Sequence, residues 1–266
     1  MLMGAKNQAK LILLSVKYNI MRAMTNRVSF LTNIIFMIFN NASFIIQWFI
    51  LFQLKENIGG YHMKEVLMLW ALAASTYGIS HIFFLGAYQI PDLITNGKLD
   101  SFLVQPKNVL LGVISSGSSV SAIGDVLYGY LIVIIFHFDL KIFFLFTYYS
   151  ISGAMILTAV SVIGGSLSFY IVRGDIISGN INNTMIHLST YPDGIFKGAV
   201  RILMFTIIPV GLVNYLPIQM IFHWDMKLWL ITTGFMFFVC FLAFIMFYRG
   251  LKRYSSSNLM SARTYN

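Results

Sequence analysis

Apolar residues in this chain fall in long runs rather than in alternation. Val28–Leu54 carries no Asp, Glu, Lys or Arg between Arg27 and Lys55. A helix of that length is about 40 Å long, and the hydrocarbon core of a bilayer is about 30 Å thick. The run therefore predicts a membrane-spanning helix with some tilt. Similar runs predict a second span near Val66–Gly86, a third at Val109–Phe138 and a fourth at Ile142–Val172. Past Arg173 the pattern is less regular. Ile176–Tyr191 is apolar but interrupted by Asn180, Asn182 and Asn183. Ile202–Ile221 is broken by Pro209 and Pro217, and Leu228–Tyr248 is a clean final span.

Composition agrees with a membrane protein. The chain is 58% hydrophobic and 10% charged, where a soluble domain carries about 25% charged residues. The single cysteine, Cys240, lies in an apolar run and reads as a small buried hydrophobe. The expected fold class is an all-α polytopic membrane protein, built as one transmembrane domain over residues 1–266. It has a segment 1–27 before the first span, six spans over 28–248 and a tail at 249–266.

Charge sets the expected orientation. Lys6, Lys10, Lys17, Arg22 and Arg27 precede the first span, and Arg249, Lys252, Arg253 and Arg263 follow the last, with no acid at either end. Basic flanks favour the cytoplasmic side. Both termini then lie in the cytoplasm, which requires an even number of crossings. Six crossings put Lys98, Lys107 and Arg173 inside as well, leaving Lys55, Lys64, Lys141, Lys197, Arg201 and Lys227 outside.

The first 27 residues do not read as a cleaved signal, because Lys17 and Arg22 interrupt a short apolar stretch. Ile12, Leu13, Val16, Ile20 and Ala23 share one helical arc, and Lys6, Lys10 and Lys17 cluster on another. Two readings stand: a helix at the cytoplasmic surface drawn to anionic lipid, or a basic topology anchor. Trp48, Trp70, Trp224 and Trp229 fall near predicted span ends, where amphipathic rings anchor at the interface.

Three segments could carry mechanism. Residues 91–106 read PDLITNGKLDSFLVQP. Pro91 suits a first helical turn, Asp92 a helix N-terminus, Gly97 a helix end, and Asp100 a cap on a turn holding Phe102 and Leu103. This is either a plain connecting loop or a short amphipathic element at the cytoplasmic face. Residues 191–221 contain two prolines at membrane depth. Broken backbone there must be buried in protein or line a cavity, which predicts a re-entrant hairpin from the outer face, with Asn214 reachable from outside. Asp125 lies within the third span. It serves either helix packing beside Tyr128 and Ser121 or a transport pathway. The Ser115–Ser119 run in that span allows close helix approach or lines a polar surface.

Several chemistries find no support. No G-x-x-x-x-G-K-[ST] loop is present, and His62, His81, His137, His187 and His223 are scattered. No nucleophile elbow or H-E-x-x-H motif occurs, and no catalytic, cofactor-binding or metal residues are expected.

At two of these segments the chain resembles the permease subunit of ABC transporters of the six-span exporter type, the ABC type-2 permease family. The first likeness is Gly97, Leu99, Asp100, Leu103 and Pro106, matching a G-x-L-D-x-x-L-x-x-P stretch in the first intracellular loop. The second is Tyr191 and Pro192, followed by Arg201 and by Ile208, Pro209 and Val210 before the last span. The resemblance implies that residues 91–106, with Pro91, Asp92 and Phe102, form a coupling helix that docks on a separate ATPase subunit. It implies that Tyr191, Pro192, Arg201, Pro209 and Pro217 belong to an outer gate, and that the N-terminal helix also touches the ATPase. ATP and Mg would bind the ATPase, present in two copies, and not this chain. A second permease, of a different but homologous kind, would complete the complex in a bacterial plasma membrane, with lipid and no nucleic acid as surroundings. The cargo would be amphipathic or apolar. The competing reading is a secondary transporter or channel without an ATPase; the lone intramembrane acid and the lack of a convincing repeat count against it.

Overall fold

The computed structural model describes residues 5–255, so Arg263 and most of the 249–266 tail lie outside the described residues. Among those residues the regular elements are helical, and one isolated bridge joins Ile58 and Tyr61. The N-terminal helix α1 is Ala5–Ala23, and α2 is Arg27–Leu54. Next come α3 (Met63–Phe83), the short helices α4 (Ile90–Thr95), α5 (Asp100–Leu103) and α6 (Val109–Ile114), and then α7 (Ser121–Phe136). The remainder is α8 (Leu140–Ser166), α9 (Gly174–Ser189), α10 (Ala199–Thr206), α11 (Leu216–Phe222) and α12 (Met226–Leu251).

Polar residues at the run edges start these helices by accepting hydrogen bonds from backbone amides that have no partner within the helix. Asn26 Oδ1 accepts from Ser29 N at 3.1 Å to open α2. Asp139 Oδ1 accepts from Lys141 N at 2.7 Å to open α8, and Asp225 Oδ1 from Lys227 N at 2.7 Å to open α12. Glu65 Oε2 accepts from His62 N at 2.7 Å at the start of α3. The acids that mark the span edges in the sequence are thus largely helix caps.

Helices α3 and α8 form the buried centre, while α2 and α12 are largely exposed along their length. Helix α3 packs on α7 and α8, α12 on α8, and α2 on α7. Small residues set these distances. A side chain at Gly129 of α7 would run into Ser75 and the Ala71 carbonyl of α3. One at Gly124 would meet the Ile34 carbonyl of α2, and one at Gly153 of α8 would meet Thr76.

Four apolar helices are long enough to cross a bilayer alone: α2, α3, α8 with its 3-10 extension to Phe169, and α12. Helices α7 and α9 have 16 residues each, about 24 Å of helix. The expected third span, Val109–Phe138, is therefore not one helix: residues 115–120 are non-helical and separate α6 from α7. Serine side chains there compete for backbone groups. Ser115 Oγ donates to Leu111 O and Ser116 Oγ to Val113 O, each at 2.7 Å, while Ser119 N donates to His81 O at 3.0 Å. The serine run thus ends a helix instead of lying within one.

Two of the four tryptophans depart from the interfacial reading. Trp48 and Trp70 are buried in protein, and Trp70 stacks on Phe44 at 4.9 Å. Trp224 is exposed before α12, as an anchor would be.

Candidate functional site

Pro91 sits in the first turn of α4, Asp92 follows it, and Gly97 adopts φ of 66°, a left-handed turn that glycine takes without a Cβ clash. Asp100 is not a cap: Leu99 precedes α5, and Asp100 occupies its first turn. Burial divides the segment. Pro91, Ile94 and Leu99 are buried and hold it to the body, Phe102 is half-buried, and Asp92, Asp100, Leu103 and Pro106 are exposed. Val104, which the sequence reading passed over, is 85% exposed and extends the apolar tip begun by Leu103. The chain after α12 reaches this loop. Burial, and then the Asp100 carboxylate beside it, pushes the Tyr254 hydroxyl up to about 12, and the Tyr254 ring packs edge-on against Phe169.

Helix α1 lies against the same end. Val16 is buried, Ile12, Ile20 and Ala23 are half-buried, and Asn19 Nδ2 donates to Ser118 Oγ at 3.4 Å. Leu13, expected on the apolar arc, is instead exposed on the side that carries Lys6, Lys10 and Lys17.

At the opposite end, α10 and the segment Gly211–Phe222 meet at a 70° bend around Ile208–Pro209. Gly211–Tyr215 forms a π-helical turn leading into α11, where Pro217 occupies the first turn and its missing N–H costs least. Side chains of that turn cap α9. Tyr215 Oη donates to Leu188 O at 2.6 Å and Tyr191 O at 3.1 Å, and Asn214 Nδ2 donates to Ser189 O at 3.0 Å. These carbonyls belong to the last turn of α9 and the residues just after it, where no intrahelical donors reach. Asn214 is therefore fully buried and is not reachable from outside. Arg201 pairs with the buried Asp193 at 3.0 Å, and Tyr191 packs edge-on against Trp48 at 6.1 Å. The α2–α3 loop closes over this base: Gly59 abuts Pro192, Gly194 and Ile195. Burial, with the Asp193 charge adding to it, raises the Tyr61 hydroxyl above the ordinary tyrosine value.

Between these ends lies a cavity of about 480 Å³ walled by α2, α3, α7, Leu157 of α8, the C-terminal end of α9 and the π turn. Asp125 is one of its lining residues. It stands one turn into α7, not at the middle of a long span. Its partner is neither Tyr128 nor Ser121: Asn41 Nδ2 of α2 donates to Asp125 Oδ1 at 2.6 Å.

Two exposed polar stripes border the cavity. On α2, Asn33, Asn40 and Gln47 recur every seven residues and are exposed. On α9, Asn180, Asn183 and His187 share one exposed face. Asn40 and His187 also line the cavity. Of the residues lining this cavity, the sequence reading singled out Asp125 and Tyr191 as site residues. The seven-residue spacing of Asn33, Asn40 and Gln47 was the signal available on α2.

The sequence model of a family described as "ABC-2 family transporter protein" matches residues 17–258. No match was found among curated proteins or solved structures.

Proposed function

We propose, from the premise that the chain belongs to the ABC-2 transporter family, that it is one of two permeases in an ATP-driven exporter. Membership makes it the membrane permease component of an ABC transporter, partnered by an ATPase subunit and not itself catalytic. In this reading six crossings, made by α2, α3, α7, α8, α9 and α12, place both termini in the cytoplasm of a bacterial cell. The bent α10–α11 pair dips in from the outside and returns, as an outer gate.

The observation that carries the reading is the exposed polar stripe of Asn33, Asn40 and Gln47, with Asn180, Asn183 and His187 beside it. Polar side chains at membrane depth face other protein or water, not lipid. A second permease set against α2 and α9 covers both stripes and leaves a polar path between the subunits. An adjoining arc of α2, with Leu31, Ile35, Phe39, Ile46 and Ile50 exposed, suits lipid.

Energy enters from the cytoplasmic side. Two ATPase copies binding ATP and Mg close on each other, and the exposed tip formed by Asp100, Leu103 and Val104 transmits that closure. The differential free energy shifts the permease pair between inward and outward states. The cargo is amphipathic or apolar, and the second permease is a different homologous subunit.

Co-purification tests the proposal. The tagged chain, extracted from its native membrane in mild detergent, is expected to bring a stoichiometric ATPase and a second permease, identified by mass spectrometry. A chain that emerges alone from intact membranes overturns the ATP-driven reading in favour of an independent transporter.

A further inference from the structure

The cavity beneath Trp70 and Tyr77 has a definite chemistry. Asp125 is only 4% exposed, and its Oδ2 has no hydrogen-bond partner. Asn41 supplies one neutral donor to the other oxygen. Among the described residues the one ion pair is Arg201–Asp193, so no side-chain cation stands at Asp125. A carboxylate taken out of water normally has a counter-charge.

The neighbouring unpartnered atoms are one acceptor, one hydroxyl that can donate or accept, and one N–H. Thr76 Oγ1 and Asn214 Oδ1 are buried without partners, and Trp70 Nε1 is the lone N–H among the cavity's unpartnered buried atoms. An anionic ligand would meet Asp125; a donor-rich cation would satisfy it. Part of the remaining wall, which is otherwise aliphatic and polar, is aromatic: Phe44 stacks on Trp70, and Tyr77 lies alongside. Aromatic faces attract cations and accept apolar groups equally well. A volume of about 480 Å³ falls within the range of small-molecule sites, about 300–1,000 Å³. Among the described residues no group of three or more His, Cys, Asp or Glu is placed to hold a metal ion.

We propose that this cavity binds the ammonium head of an amphipathic organic cation, with Asp125 as its counter-charge and Phe44, Trp70 and Tyr77 around its apolar part. The inference rests on the export reading for the direction of movement and not for binding itself. Asn41 is then a positioning residue, holding one carboxylate oxygen so that the other faces the ligand.

The test uses the full chain, purified with whatever ATPase accompanies it, in lipid nanodiscs. Calorimetric titration compares 2-phenylethylammonium with the uncharged 2-phenylethanol. The ammonium is expected to bind at least tenfold more tightly. Asp125→Asn, which keeps an oxygen for Asn41, is expected to erase that preference. Phe44→Leu, at a site on the exposed rim of α2, is expected to weaken the ammonium several-fold more than the alcohol, and it serves if the Asp125 variant does not fold. Equal binding of the two ligands to the native chain, or an unchanged preference in Asp125→Asn, overturns the proposal. An ATPase present without ammonium binding defeats the cation site alone. Ammonium binding without an ATPase defeats the export reading and leaves the site standing.

Discussion

Arg201 Nη2 stands 3.0 Å from Asp193 Oδ2, joining α10 to the segment just after α9. The pair is unequal: the Arg201 side chain is 57% exposed and that of Asp193 only 9%. Water screens the arginine, so the bond is worth less than a buried pair. A double-mutant cycle of Asp193→Asn and Arg201→Gln is expected to give a coupling energy of about 1 kcal/mol. Removing the arginine alone should cost more than the coupling, because it strands a buried carboxylate. Thermal unfolding of the purified chain measures both, and a coupling indistinguishable from zero would remove the pair as a latch between α10 and the end of α9.

Gly129 governs how closely α7 approaches α3. A methyl group there would run into Ser75 and the Ala71 carbonyl, and backbone cannot yield as a side-chain tip can. Gly129→Ala is expected to destabilise by about 1–3 kcal/mol, the usual range for overpacking. Gly234 of α12 has nothing within 4 Å of an added Cβ, so Gly234→Ala should stay within about 0.5 kcal/mol of the native chain. Equal melting temperatures for the two variants would show that the α3–α7 contact is looser than described.

The contrast between these glycines bears on what the sequence could reveal. Run edges were legible because charges and helix caps coincide: α2 begins at Arg27 and ends at Leu54, one residue from the expected start and at the expected end. The Pro91–Gly97 turn was legible because proline and glycine each restrict the backbone in a known way. The packing faces were not. Lipid is as apolar as a protein interior, so hydrophobicity does not say which side of α3 meets α7 and which meets α8. Trp48 and Trp70 were read as interfacial for the same reason, and both are buried. The Asn41–Asp125 bond spans 84 residues, a separation at which no local periodicity carries information. The helix break at residues 115–120 had a signal, four serines around a glycine, that also fits a close-packed helix.

Leu103 and Val104 form an apolar tip, 41% and 85% exposed. Burying an apolar side chain at an interface is worth about 1.5 kcal/mol or more. Replacing both with glutamate should weaken ATPase docking by about a hundredfold, with membrane insertion unchanged. Co-purification of the ATPase, read beside the amount of chain in the membrane fraction, tests this. A normal yield of ATPase with the double variant would place the docking surface elsewhere. Asp100→Lys tests the charged side of the same tip, and its effect should add to that of Leu103→Glu only if both contact the partner.

Orientation and the path of the α10–α11 pair can be separated with three single cysteines. The native Cys240 is half-buried in α12 and is first replaced by alanine. Asn214 is a poor reporter because it is buried. Glu56, Val104 and His223 are exposed and lie outside the long helices. With the N-terminus inside, Glu56 follows one crossing and Val104 follows two. A membrane-impermeant maleimide applied to whole cells should label Glu56→Cys and spare Val104→Cys; the reverse pattern would invert the topology. His223 comes after the bent pair. If that pair returns to the side it entered, His223→Cys labels from outside together with Glu56→Cys. If the pair crosses instead, His223→Cys is protected, the crossings number seven, and Arg249, Lys252 and Arg253 fall outside against the charge rule. The 70° bend, the capping of α9 by Asn214 and Tyr215 and the basic residues after α12 all favour the labelled outcome.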